Sequence, residues 1–144
     1  MSKLFELKEQ NMKARIGIMS EALVRNRMLA IASGSYQIDV SEPKIWYSSM
    51  NAICQILNEK NIELVRLINK EKPESLTELA LLTGRQKSNL SNTLKALSEK
   101  GFIRLEKSHG NVLKPVALYT DFEIVVDSYY EDKVLKAVEA MKAA

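Results

Sequence analysis

The residues best suited to chemistry in this chain lie together: Arg85, Gln86, Lys87, Ser88, Asn89, Ser91, Asn92 and Lys95. All carry cations or neutral hydrogen-bonding groups, and no carboxylate interrupts them. Asn and Gln can pair bidentately with adenine, Arg and Lys neutralise phosphate, and Ser bonds to several bases with little discrimination. On one helix face, such a set is what a helix in the major groove of DNA requires. The competing reading is an exposed polar face that touches nothing.

The apolar residues among them say how that face is held. Leu90, Leu94 and Leu97 recur at helical spacing and point the other way, into a core. A shorter helix precedes them, with Leu76, Leu79, Ala80 and Thr83 at i, i+3, i+4 and i+7. Ser75 with Glu78 forms a capping-box start, and Gly84 supplies the left-handed stop between the two helices. Thr77, near the first helix's N-terminus, is a further candidate for phosphate. After Gly101 the run Phe102–Lys107 alternates as a strand does, Ser108–Asn111 is a turn, and Val112–Tyr119 returns. Pro115 within the return strand argues for an edge position. Lys107, His109 and Lys114 give this hairpin a basic tip, a wing beside a helix-turn-helix.

The rest of the chain frames this centre. Residues 1–11 carry a weak pattern, compatible with a short helix or an arm. Met12–Ile18 predicts a strand, and Ser20 caps a helix from Glu21 to about Ser33, stopped by Gly34. Tyr36–Val40 and Ile45–Tyr47 read as extended pieces. Met50, Ile53, Cys54 and Leu57 form an apolar stripe, which predicts a buried structural thiol at Cys54 rather than a redox sensor. A further helix reaches about Lys70, with Ile62, Val65 and Ile68 inward and Leu64 and Leu67 widening its face. Leu81 and Leu82 fall off the stripe of the following helix, so a cover is expected there, from the first third of the chain or from a second subunit. Phe122–Asp127 predicts a third strand. Tyr130, Val134, Leu135, Val138 and Met141 mark a last amphipathic helix, able to fold back or to pair with a copy of itself. The expected division is an N-terminal extension over 1–47 for dimerisation or partner binding, a DNA-binding domain over 48–127, and the last helix over 128–144.

Charge is uneven. The 144-residue chain carries a net +3, but residues 85–114 hold seven basic and two acidic groups, net +5. That excess coincides with the candidate face and hairpin, as a phosphate-facing surface requires. Composition, 46% hydrophobic and 27% charged, suits a globular domain. No apolar run approaches the roughly 20 residues that cross a bilayer. The first residues lack the order of a signal peptide, and a single cysteine excludes an internal disulfide, so a cytoplasmic location is expected. His109 and Cys54 sit on different elements and form no nucleophile–base pair. There is no phosphate-binding glycine loop and no metal spacing. The expectation is a non-enzyme without cofactor or metal.

Several ordered motifs resemble winged helix-turn-helix transcription regulators, closest to small archaeal and bacterial DNA-binding proteins distantly similar to MarR. The likeness rests on Asn61–Ile68, Pro73–Ala80, Thr83-Gly84-Arg85, Ser88–Leu94, Leu97, Gly101-Phe102-Ile103 and Lys114-Pro115. It covers about half the chain, from Leu57 to Val126. Asn92 stands where such helices often carry arginine, and the helix after Asp127 extends beyond the usual end. The resemblance implies an α+β fold, mostly α with a small β wing, and sequence-specific binding of double-stranded DNA by a repressor. A homodimer on a palindromic operator is the expected form. The alternative is a protein-interaction module, such as an antitoxin-like partner of a small toxin, with DNA binding secondary.

Overall fold

The computed structural model describes residues 12–143; the weakly patterned residues 1–11 lie outside them. In order come β1 (Lys13–Ile18), α1 (Glu21–Ser33), β2 (Ile45–Tyr47), α2 (Met50–Ile56), α3 (Glu59–Glu71) and α4 (Leu76–Thr83). There follow α5 (Lys87–Glu99), β3 (Ile103–Lys107), β4 (Leu113–Ala117), β5 (Asp121–Val125) and α6 (Ser128–Ala143). The architecture is α+β. Two compact units are interleaved along the chain: among the described residues 12–13 and Gln55–Asp121 belong to one, and Ala14–Cys54 and 122–143 to the other. The serial division at 47/48 and 127/128 does not coincide with these units. β5 lies beside β1 in a sheet of order β2-β1-β5, and β3 and β4 form a separate two-stranded sheet.

The split unit is built on a strand–helix–strand crossover. Ser20 Oγ accepts the Leu23 N–H at 3.3 Å and opens α1. Gly34, at φ 84°, closes it with its N–H on the Ala30 and Ile31 carbonyls. The helix returns the chain so that β2 pairs parallel with β1, Gly17 opposite Trp46. A Cβ at Gly17 would clash with the Trp46 ring, so this position admits only glycine while the indole lies there. Trp46 also meets Tyr130 edge-on, with centroids 5.7 Å apart. Met19, Ala30, Tyr36, Tyr130, Val134 and Ala137 form the core, and Val138 and Met141 pack against it. The α6 stripe therefore folds back onto the unit's own residues, leaving only Leu135 half exposed.

One polar cluster is buried here. Glu42 accepts from Arg27 Nη2 at 2.8 Å and from the Tyr36 hydroxyl, and its side chain is 0% exposed. The Arg27 guanidinium lies 5.4 Å from the Tyr36 ring centre and 5.2 Å from that of Trp46. Lys133 Nζ donates to the Gln37 carbonyl at 2.7 Å, stands 3.5 Å from Glu42, and lies 4.3 Å over the Tyr36 ring. A buried carboxylate is tolerable only with such multiple partners. These bonds also explain why Tyr36–Val40 forms no strand: the segment loops so that Tyr36 and the Gln37 carbonyl reach the cluster, leaving Val40 fully exposed.

The expectation for Cys54 is overturned: its thiol is exposed. α2 is only seven residues long and buries Ile53 alone, while Met50 remains 47% exposed. Two turns end before Leu57 can complete the stripe.

In the continuous unit, α3 starts where Asn58 Oδ1 accepts the Asn61 N–H at 2.9 Å. It buries Leu64, Val65 and Ile68 and packs on β4. α5 packs on α4 and β3, and α4 also meets β4. Leu79, Leu90, Leu97, Phe102 and Ile103 are almost wholly buried in this unit.

Two outcomes test this packing. Gly17→Ala must displace the indole and should destabilise by about 1–3 kcal/mol, measured by urea unfolding followed through Trp46 fluorescence. Burial and the Glu42 bond push the Tyr36 hydroxyl above its ordinary pKa, and burial does the same at Tyr47. The neutral phenols thus stabilise the fold below the ordinary value of 10.0, and that contribution is lost as pH rises past it. Unfolding midpoints should fall between pH 9 and about pH 11, less steeply in Tyr36→Phe.

Candidate nucleic-acid interface

The candidate face depends on how α4 hands the chain to α5. Ser75 Oγ accepts the Glu78 N–H at 3.1 Å, and Glu78 Oε2 accepts the Glu74 N–H at 3.1 Å. This is the capping box with its return bond shifted one residue upstream. At the other end Gly84, at φ 70°, donates its N–H to the Ala80 carbonyl. Thr83 Oγ1 donates to the Leu79 carbonyl at 2.9 Å and accepts the Arg85 N–H at 3.2 Å. The hydroxyl thereby ties the last turn of α4 to the first residue of the link. Gln86 occupies the N-cap of α5 but makes no side-chain cap bond, and the first turn holds no acid. The leading N–H groups and the positive end of the helix dipole are left available to an anion.

Leu90, Leu94 and Leu97 turn inward as their spacing requires, and Gln86, Lys87, Ser88, Asn89, Ser91, Asn92 and Lys95 are exposed. Arg85 is half-buried and Thr77 exposed on the first turn of α4. From Arg85 to Lys95 the face is continuous and free of carboxylates; the exposed Glu99, one turn beyond Lys95 on the same side, ends it.

Six of the seven basic residues of 85–114 divide into two groups. Among the described residues, Arg85, Lys87, Lys95 and Lys107 form no ion pair. Arg104 is held by Glu106, Nη2 to Oε1 at 2.6 Å. Lys114 Nζ lies 3.4 Å from Glu74 Oε1.

Lys114 therefore does not belong with the hairpin tip. β3 and β4 pair antiparallel with Lys107 opposite Leu113 and Lys114 opposite Glu106, one step below the end. Its side chain borders a hollow of about 120 Å³ with Ile68, Asn69, Lys72 and Pro115. Lys107 and His109 do lie at the tip, where the Ser108 N–H donates to the Val112 carbonyl, the Val112 N–H donates to the His109 carbonyl, and His109 is exposed. Pro115 is accommodated because a two-stranded sheet leaves both strands with a free edge.

No sequence signal pointed to the Arg27–Glu42–Tyr36–Lys133 cluster, since its members are far apart in the chain. The one hint is an arginine set among the apolar residues of α1. Leu81, 82% exposed, and Leu82, 44% exposed, remain uncovered among the described residues.

A family model described as HVO_A0114 matches residues 56–124, just under half of the chain and the whole of the candidate face. That description names no activity. No curated protein and no solved structure matches the chain. No described helix is long and apolar enough to cross a membrane.

Ser75→Ala should lower stability by about 1 kcal/mol, because it leaves the Glu78 N–H without its acceptor. Chemical denaturation monitored by far-ultraviolet circular dichroism reads the change, and an unaltered midpoint would mean that the cap contributes nothing.

Proposed function

We propose that this chain is a winged helix-turn-helix transcriptional regulator, a cytoplasmic repressor that binds double-stranded DNA as a homodimer. The observation that carries the reading is the outer face of α5 as far as Lys95: exposed amides and hydroxyls, cations without internal partners, and no carboxylate before Glu99 at the helix's end. In this reading α4 and α5 form the helix-turn-helix and the β3–β4 hairpin the wing. α5 lies in the major groove, where its N-terminal half meets base edges. Its uncapped first turn, with Lys87, receives a phosphate. Lys95 and Lys107 neutralise others, and His109 follows the backbone at the wing tip. A two-fold dimer places two such helices on half-sites about one helical turn apart, so a palindromic operator is expected, and occupancy near a promoter excludes polymerase.

The exposed Leu81–Leu82 pair favours a second reading, in which α4 docks a small protein such as a toxin and DNA binding is secondary. Two adjacent leucines left exposed on a helix that otherwise packs on α5 and β4 are the kind of apolar anchor that a partner covers.

Gel shifts on the DNA upstream of the protein's own coding sequence, at several salt concentrations, separate the readings. Retarded duplex with a steep negative salt slope is expected; no retardation at low salt would favour the interaction module. Lys107→Gln should weaken binding on every sequence and reduce the slope by about one unit. Lys114→Gln should change it less, because Glu74 already neutralises that ammonium.

A further inference from the structure

Helical geometry ranks the residues of the α5 face. At roughly 100° per residue, Leu90, Leu94 and Leu97 cluster within about 60°, and the direction opposite them runs between Ser88 and Asn92. Asn89 is rotated about 60° from Asn92 toward one flank, and Lys87 lies over the other flank, near the core. Lys95 also faces outward, but its Cα is about 10 Å along the axis from that of Ser88. For a helix that enters the groove by its N-terminal half, this places Lys95 nearer the phosphates than the bases. Asn92 is thus the amide aimed most directly away from the protein.

Its surroundings suit close approach. Ser88, one turn earlier, is its neighbour on the face, exposed and small, so the helix backbone can come near the groove floor. A short Asn side chain needs that approach. Its amide has no hydrogen-bond partner among the described residues, so it is not held by the fold. α5 reads Lys-Ser-Asn-Leu-Ser-Asn-Thr-Leu-Lys-Ala-Leu-Ser-Glu and contains no arginine, the side chain best matched to guanine. Arg85 precedes the helix, with its backbone N–H tied to Thr83.

We propose that Asn92 is the main specificity-determining residue of this surface and that it selects an A·T pair, read bidentately at adenine in the major groove. The inference rests on the DNA-binding reading above. Asn89 contributes from the flank, Ser88 permits the approach, and Lys87, Lys95 and Lys107 supply affinity without sequence.

Selection of binding sites from a randomised duplex pool, with the full chain at one fixed salt concentration, tests it. The wild type should enrich A·T at a defined position in each half-site. Asn92→Ala should lose about tenfold or more of the discrimination at that position alone, with an unchanged salt slope. Asn92→Arg should move the same position to G·C, a gain of preference that misfolding cannot imitate. Retained A·T enrichment in Asn92→Ala, or an unmoved base choice in Asn92→Arg, overturns the assignment. So does a wild type that binds duplex without any enrichment, although DNA binding would then stand. A wild type that retains no duplex even at low salt overturns both the assignment and the reading beneath it.

Discussion

The burial of Leu90, Leu94 and Leu97 governs the continuous unit, because a helix with one face sealed in a core has no choice about the other. Each of these side chains contributes about 1.5–3 kcal/mol on leaving water, and α4 and β3 supply the surfaces that receive them. Rotation of α5 about its axis would expose leucine and bury Asn92, Ser88 or Lys95 without partners, a change unfavourable on both counts. Packing therefore sets which side chains face outward. The Gly84 stop and the Thr83 hydroxyl then fix where the second helix starts, so that its uncapped end and polar face are presented together.

Charge pairing shapes the surface in a comparable way. Residues 85–114 carry a net +5, but Arg104 and Lys114 are engaged by Glu106 and Glu74. Exposed pairs of this kind contribute little to stability. They do remove two cations from any encounter with phosphate and concentrate the unpaired ones at Arg85, Lys87, Lys95 and the hairpin tip. The field available to an anion is thus narrower and more localised than the sum of charges suggests.

The interleaved unit answers a different constraint. Glu42 and Arg27 are both buried, a costly arrangement unless every lone pair and proton finds a partner. Tyr36 and Lys133 serve Glu42, and the ring faces of Tyr36 and Trp46 lie against the Arg27 guanidinium, whose Nε has no hydrogen-bond partner; these groups come from the loop after α1, from β2 and from α6. One network thereby joins the beginning and the end of the chain within a single unit. α6 is consequently occupied by the unit's own core, so its apolar stripe is not a free surface for self-pairing.

Local pattern alone determined much of this protein. Ser20 and Gly34 bound α1, Ser75 and Gly84 bound α4, and the leucine spacing of α5 by itself sets that helix's inner and outer faces. Those features are legible in the sequence because caps, left-handed stops and helical periodicity are decided within a few residues. Tertiary structure decided what depends on distant neighbours. β5 continues the chain after the hairpin yet pairs beside β1, Cys54 faces water because α2 stops after two turns, and Lys114 turns to Glu74 instead of the hairpin tip. The Glu42 cluster was hidden for the same reason. Strand partners and buried ion pairs join residues widely separated in the chain, and only the folded chain brings them within reach.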